Sequence, residues 1–234
     1  MNRLAVVVAL SLGCAAMAQE SPSPAPSPEQ TASSSPTPTP TPTPAREVRI
    51  RFVPPPMEGT ISLGIFDEQG KLVRVLHREA KIENFTVEEN SLSTSWDGKN
   101  DAGEDAPAGR YRARGYVVGD LKAEDTGKSK EPVVIDAPES VPVTLIANPL
   151  TNDSRSVVNL MAGFDRRSAY LKTADGLPLR TIAQTEEIMG DVAFLKDGNR
   201  SLHFYFRQGE ITHEFRITGA EKMMAFDCGT FDLK

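Results

Sequence analysis

Cysteine is nearly absent from this chain. Its 234 residues include two, Cys14 and Cys228, too few for a disulfide framework, so packed cores have to stabilise whatever folds. Histidine is equally scarce, at three residues: His77, His203 and His213. No His-x-x-x-His, Cys-x-x-Cys, Gly-x-Ser-x-Gly or phosphate-cradling glycine loop occurs, so no motif announces a metal, an activated nucleophile or a nucleotide, and no cofactor is expected. A basic excess is missing too. Against 26 Lys and Arg stand 32 Asp and Glu, a net charge of −6, whereas a nucleic-acid binder needs a basic footprint to displace counterions. The longest apolar run, Leu4 to Gly13, is too short to span a bilayer.

What is present begins with a leader. Arg3 and the free amine supply a positive start, the apolar run follows, and Ala16-Met17-Ala18 places small residues where a signal peptidase needs them. Residues 1–18 therefore read as a signal peptide cleaved before Gln19, and the mature protein is expected in the periplasm, at the cell surface or secreted. Ser11-Leu12-Gly13-Cys14 offers an alternative, a lipoprotein leader acylated at Cys14, although Leu12 stands one place too close to the cysteine. Membrane attachment is expected only in that case.

Residues 19–46 are a Pro/Ser/Thr-rich linker, which holds much of the chain's 18 Pro. With almost nothing apolar to bury, it cannot offset its own ordering entropy and is expected to be disordered. Its Thr-Pro alternation favours extended polyproline II, a semi-rigid spacer of about 3 Å per residue.

From Val48 the pattern changes to short alternating apolar runs broken by turns. Val48, Ile50 and Phe52 alternate before Pro54-Pro55-Pro56 stops pairing. Ile61, Leu63 and Ile65 continue the period of two, and Asp67 to Gly70 makes a turn into Leu72 to Leu76. Leu92 to Trp96 forms a strand, followed by the Asp97 to Gly103 corner, a second corner at Ala106 to Gly109, and a strand from Tyr111 to Val118. No helical period appears, so residues 47–138 read as an Ig-like β-sandwich. Trp96 fills its centre; Asp97 and Gly98 shape the turn; Pro107 to Gly109 aims Tyr111 inward.

Three elements carry a resemblance: Gly64 to Asp67 through Gly70 to Leu76 (with Arg74), Trp96-Asp97-Gly98 through Asp101 to Gly103, and Pro107-Ala108-Gly109-Arg110-Tyr111. Together they resemble the FlgD-type Ig-like domain of flagellar hook-capping proteins and many exported bacterial proteins, over about residues 58–118. The resemblance implies a non-catalytic Ig-like module. It does not imply hook capping, because the family's export-engaging N-terminal region is replaced here by a leader and a spacer.

Asp97, Asn100 and Asp101 also invite a calcium reading, but Lys99 occupies a position that needs an oxygen ligand, and acidic turn residues are commoner than ligands. Asp120 to Glu131 reads as a charged tether, with Val133 to Ile135 as a last strand before a boundary at Pro138 to Pro142.

Residues 139–234 read as a second small antiparallel β domain. Strands are expected at 143–147, 157–162, 169–173, 179–183, 192–195, 202–206 and 212–218, with turns at Asp175-Gly176, Asp197-Gly198 and Gln208-Gly209. Centring the last hairpin on Gln208-Gly209 sets Phe204 opposite His213, Leu202 opposite Phe215, His203 opposite Glu214 and Tyr205 opposite Thr212. Gly176 to Ile182 echoes Gly70 to Leu76, which suggests a diverged Ig-like sandwich; a propeller would need more blades than fit.

Candidate chemistry is thin. His77 is expected to be exposed, His213 half-buried, and Cys228, beside Asp227, a poor nucleophile that is buried. Asp101/Asp105 and Glu186/Glu187 look like solvated charge. The candidate binding surface is His203 and Tyr205, with Phe204 and Phe206 as possible exposed neighbours. The leading reading is a structural or binding module whose partner is a protein, a glycan or an envelope component. The alternatives are an accessory factor or carbohydrate-active enzyme working through the second β domain, and a component of a larger envelope assembly.

Overall fold

The computed structural model of the chain describes residues 46–128, 140–150, 153–185, 192–197 and 201–234, with 192–197 by backbone alone. The leader, Cys14, nearly all of the Pro-rich linker, Val133 to Ile135, Glu186/Glu187 and Gly198 lie outside the described residues. The chain is nearly all β. Its strands are β1 (Val48–Phe52), β2 (Thr60–Phe66), β3 (Leu72–Ala80), β4 (Thr86–Glu88), β5 (Ser91–Trp96) and β6 (Gly109–Val118). Then come β7 (Lys122–Lys128), β8 (Val141–Thr144), β9 (Val157–Phe164), β10 (Ser168–Thr173) and β11 (Pro178–Gln184). Last are β12 (Val192–Asp197), β13 (Ser201–Gln208), β14 (Ile211–Thr218) and β15 (Met223–Leu233). A single 3-10 turn, Ile82–Asn84, is the only helical element among the described residues.

A three-stranded sheet, β1-β5-β4, and a four-stranded sheet, β15-β6-β2-β3, form a sandwich. Ile50, Phe52, Leu92 and Trp96 meet Ile61, Leu63, Ile65, Tyr111 and Phe226 in its core. The period of two in β1 and β2 produces this packing directly, since alternate side chains share a face. In β2, however, six of seven residues are buried. Its second face, through Phe66, joins another core with Tyr116, Val118, Leu160, Leu177, Phe204 and Ala225. The four-stranded sheet is therefore covered on both sides. Two further sheets, β11-β10-β9-β8 and β12-β13-β14-β7, supply the rest of that second core. Among the described residues all strand pairing is antiparallel.

Three expectations are corrected. Residues 122–128 are not a tether but strand β7, paired with β14 from Lys122↔Thr218 to Lys128↔His213. The strand has no apolar period because it is an edge, where charged side chains blunt further pairing; the β14 backbone selects it. A last strand, β15, pairs with β6, although no strand was expected after Thr218. A bulge between Asp227 and Thr230 interrupts its alternation, which hides it in the sequence. Finally, the β13–β14 hairpin pairs Gln208 with Ile211 and Phe204 with Phe215, two residues from the expected register. Gly209, at φ +60°, takes the first central position of a two-residue turn, with Glu210 as the second. An even slip leaves every side chain on its expected face.

Strand pairing crosses position 139 in both directions: β7 joins the sheet of β12 to β14, and β15 returns to that of β2, β3 and β6.

Candidate functional site

The residues singled out around Trp96 converge at one corner of the sandwich. Trp96 is buried, with its ring edge-on to Tyr111 at 5.0 Å and to Phe231 at 5.9 Å. Its Nε1–H donates to the Lys99 carbonyl at 2.8 Å, so the polar end of the indole closes the loop that follows it. Asp97 Oδ1 accepts the Lys99 amide at 3.0 Å, and Gly98 turns the chain at φ +74°, a conformation that strains other residues. The Ala106 amide then donates back to the Gly98 carbonyl at 2.8 Å.

The second corner is closed by Tyr111, whose hydroxyl donates to the Pro107 carbonyl at 2.7 Å. Burial pushes its phenol above the ordinary range, against a smaller opposing effect of Arg46. Gly109 opens β6 and Gly103 donates its amide to Asn100 O in the intervening turn. Arg74 reaches from β3 to the Asn100 carbonyl at 2.9 Å and lies 3.8 Å from the Asp101 carboxylate. Gly70 closes the β2–β3 turn by donating to Asp67 O at 3.0 Å.

A cleft of about 590 Å³ lies between this turn, the Asn100–Ala102 loop and the Pro107–Tyr111 corner. Three of its side-chain oxygens accept backbone amides. Asp67 Oδ1 accepts the amides of Gln69 and Lys71. Asn100 Oδ1 accepts those of Ala102 and Glu104, and Asp101 Oδ1 that of Val75. Of the groups considered for calcium, Asp97, Asn100 and Asp101 each use Oδ1 to accept at least one amide; Asp105 is paired with Lys99 at 2.8 Å.

On the outer face of β13 and β14, His203 and Tyr205 converge on Glu214. The carboxylate Oε1 lies 2.7 Å from His203 Nδ1 and accepts from the Tyr205 hydroxyl at 3.2 Å. Glu214 sits directly opposite Tyr205 and diagonal to His203, whose direct partner is Arg216. The neighbouring Phe rings do not join this face: Phe204 is 0% exposed and Phe206 3%. An exposed three-ring cluster is therefore replaced by a polar His-Tyr-Glu group, edged by the exposed Arg207 and Arg216.

The remaining candidates are structural. His77, expected to be exposed, is half-buried against Phe85 at 4.3 Å, and its Nε2 lies 2.8 Å from Thr94 Oγ1; burial lowers its pKa. β3 is longer than its apolar run, and this carries the ring inside. His213 is half-buried and stacked on Phe206 at 4.9 Å. Cys228 is a free, partly exposed cysteine. Burial of its thiol, reinforced by Asp227, drives the pKa far upward, which leaves little thiolate for attack.

Sequence reasoning missed Glu88. It binds Arg49 at 2.5 Å as well as Arg51. A hydrogen bond from Ser93, then those from the two arginines, hold its carboxyl down at about 2. Its partners sit on β1 and β5, so no local spacing reveals the group.

No family model matches the chain, and no curated protein matches it. Among solved structures, the crystal structure of truncated FlgD (monoclinic form) from the human pathogen Helicobacter pylori is similar at 13% identity, over 80% of this chain and 83% of that one, with a TM-score of 0.25. At that identity and score the likeness carries no argument about fold or role.

Proposed function

We propose that the chain is an exported, non-catalytic protein. In this reading a FlgD-type Ig-like sandwich, held on the Pro-rich spacer, carries a second β unit that engages a protein, a glycan or another envelope component. In chain order the division falls near residue 139, with β7 joining the second unit and β15 returning to the sandwich, and the site of action is the periplasm, the cell surface or the medium. The observation that carries the reading is how the polar groups around Trp96 are used. Trp96 Nε1, Asp97, Asn100, Asp101 and the Tyr111 hydroxyl each bond to backbone, which is the work of architecture. The hydroxyl of Tyr111 returning to a carbonyl four residues upstream is a device of Ig-type sandwiches.

The polar face of His203, Tyr205 and Glu214 supports contact with a polar partner, since the three groups are gathered on one sheet face beside the exposed Arg207 and Arg216. The experiment is capture from a bacterial envelope fraction by the full chain, beside His203→Ala and Tyr205→Ala. The reading expects a saturable component retained by the wild type and lost in both variants. Equal capture by all three removes this face from the function.

A further inference from the structure

The hairpin of β10 and β11 packs on the face of the β15-β6-β2-β3 sheet turned away from Trp96, in the core shared with Phe66, Tyr116 and Leu160. Leu177, just after its turn, is 0% exposed. It lies over Gly64 of β2, where an added Cβ would come within 3.1 Å of Leu177 Cδ1 and 2.7 Å of Leu72 Cδ1. The bare backbone of Gly64 thus makes the seat that Leu177 fills.

Charged groups ring this apolar contact. On one side, Arg114 of β6 binds the Asp175 carboxylate at 2.5 Å, and its guanidinium lies 4.1 Å from the centre of the Phe66 ring. On the other, Glu79 of β3 accepts the Thr181 amide at 2.7 Å and the Thr181 hydroxyl at 2.5 Å. Arg78 lies 4.3 Å from the centre of the Tyr170 ring and reaches Asp165 at 3.3 Å. A buried apolar knob flanked by partly exposed polar contacts has the anatomy of an energetic hot spot.

A second, independent observation is the backbone of Glu79. At φ +49° it is the only non-glycine with positive φ among the described residues. Such strain persists where the surroundings over-determine it, and here Thr181, from the opposite unit, grips the side chain.

We infer that the β10–β11 hairpin is a plug that locks the two cores into one rigid, cooperative body. The second unit neither reorients nor unfolds apart from the first. The polar face on β13 and β14 is then held in a fixed direction relative to the sandwich. The lock stands whether or not that face binds anything.

Trp96 makes the test direct, because the single Trp sits in the first core and not in the one that holds Leu177. Unfolding of the full chain is followed by Trp96 fluorescence and by hydrogen exchange of β13 and β14 amides. Coincident transitions are expected in the wild type, and Leu177→Ala should shift both to lower denaturant together. Asp175→Asn keeps the side-chain size and removes the charge; it should give a smaller shared shift, and it serves if Leu177→Ala does not fold. Separate transitions in the wild type, or a variant that moves the β13–β14 signal while Trp96 stays in place, would overturn the lock. So would a Leu177→Ala chain in which neither signal moves.

Discussion

Asp101, a loop residue, takes the Val75 amide with its side-chain carboxylate, a bond that a neighbouring strand would otherwise make. The Asp101 carboxylate accepts the Val75 amide at 3.0 Å, and the Asp101 amide donates to the Val73 carbonyl at 3.2 Å. β3 is the edge of its sheet, so the loop after Trp96 covers a backbone that would otherwise template a foreign strand.

Removing that cover should have two effects. Asp101→Ala leaves the Val75 amide without its acceptor and costs about 1–2 kcal/mol. It also opens the β3 edge, and light scattering after size exclusion should show concentration-dependent self-association. Asp101→Asn keeps an acceptor oxygen and should behave close to wild type.

Tyr111→Phe isolates the corner. The ring still packs on Trp96, while the Pro107 carbonyl loses its 2.7 Å donor. A loss of about 1 kcal/mol in urea unfolding is expected, with the Trp96 emission of the folded state unchanged.

Two glycines separate crowding from backbone strain. At Gly115 an added Cβ would lie 2.2 Å from the Ser62 carbonyl oxygen, so Gly115→Ala should cost about 3 kcal/mol. At Gly103 nothing lies within 4 Å, but φ is +81°. Gly103→Ala should therefore cost only the left-handed penalty of about 1–2 kcal/mol. Thermal melts of the two variants check the order.

His77 should give the fold an acid sensitivity. Burial against Phe85, with Thr94 as its polar neighbour, holds its pKa below the ordinary 6.5. The unfolded chain therefore binds the proton more readily than the folded one. Stability is full above pH 6.5 and falls as pH drops below it, down to the folded value. Denaturant midpoints between pH 8 and pH 5 should decline in the wild type, and the part due to this residue should vanish in His77→Gln.

Much of the β architecture was legible because alternation was visible in β1, β2, β5, β6 and β9 to β14. The strand expected at 143–147 instead occupies Val141–Thr144, inside the expected boundary, and the three-residue β4, too short to show a period, was not expected. The elements that escaped lack alternation for physical reasons. β7 is a charged edge strand chosen by β14, and the alternation of β15 breaks at the Asp227–Thr230 bulge. The repeat linking Gly70–Leu76 with Gly176–Ile182 was readable and marks two hairpins: the turn glycines take φ +78° and +101°, and β3 and β11 follow. That the second hairpin plugs onto the first sheet was not, since neither Gly64 as a seat nor Glu79 in a left-handed conformation has a local signature. At the polar face, His203 and Tyr205 were found by alternation, but the two-residue error in register placed Glu214 opposite the wrong partner.

In the proposed reading the residues around Trp96 build the scaffold, and contact is made on β13 and β14. Envelope capture per folded molecule, measured for Asp97→Ala, which removes the acceptor of the Lys99 amide, and Tyr111→Phe beside His203→Ala and Tyr205→Ala, separates the two roles. The first pair should lower stability and leave capture per folded molecule unchanged, while the second pair loses capture and keeps its stability. Folded Asp97→Ala or Tyr111→Phe protein that no longer captures its partner would refute this division of roles.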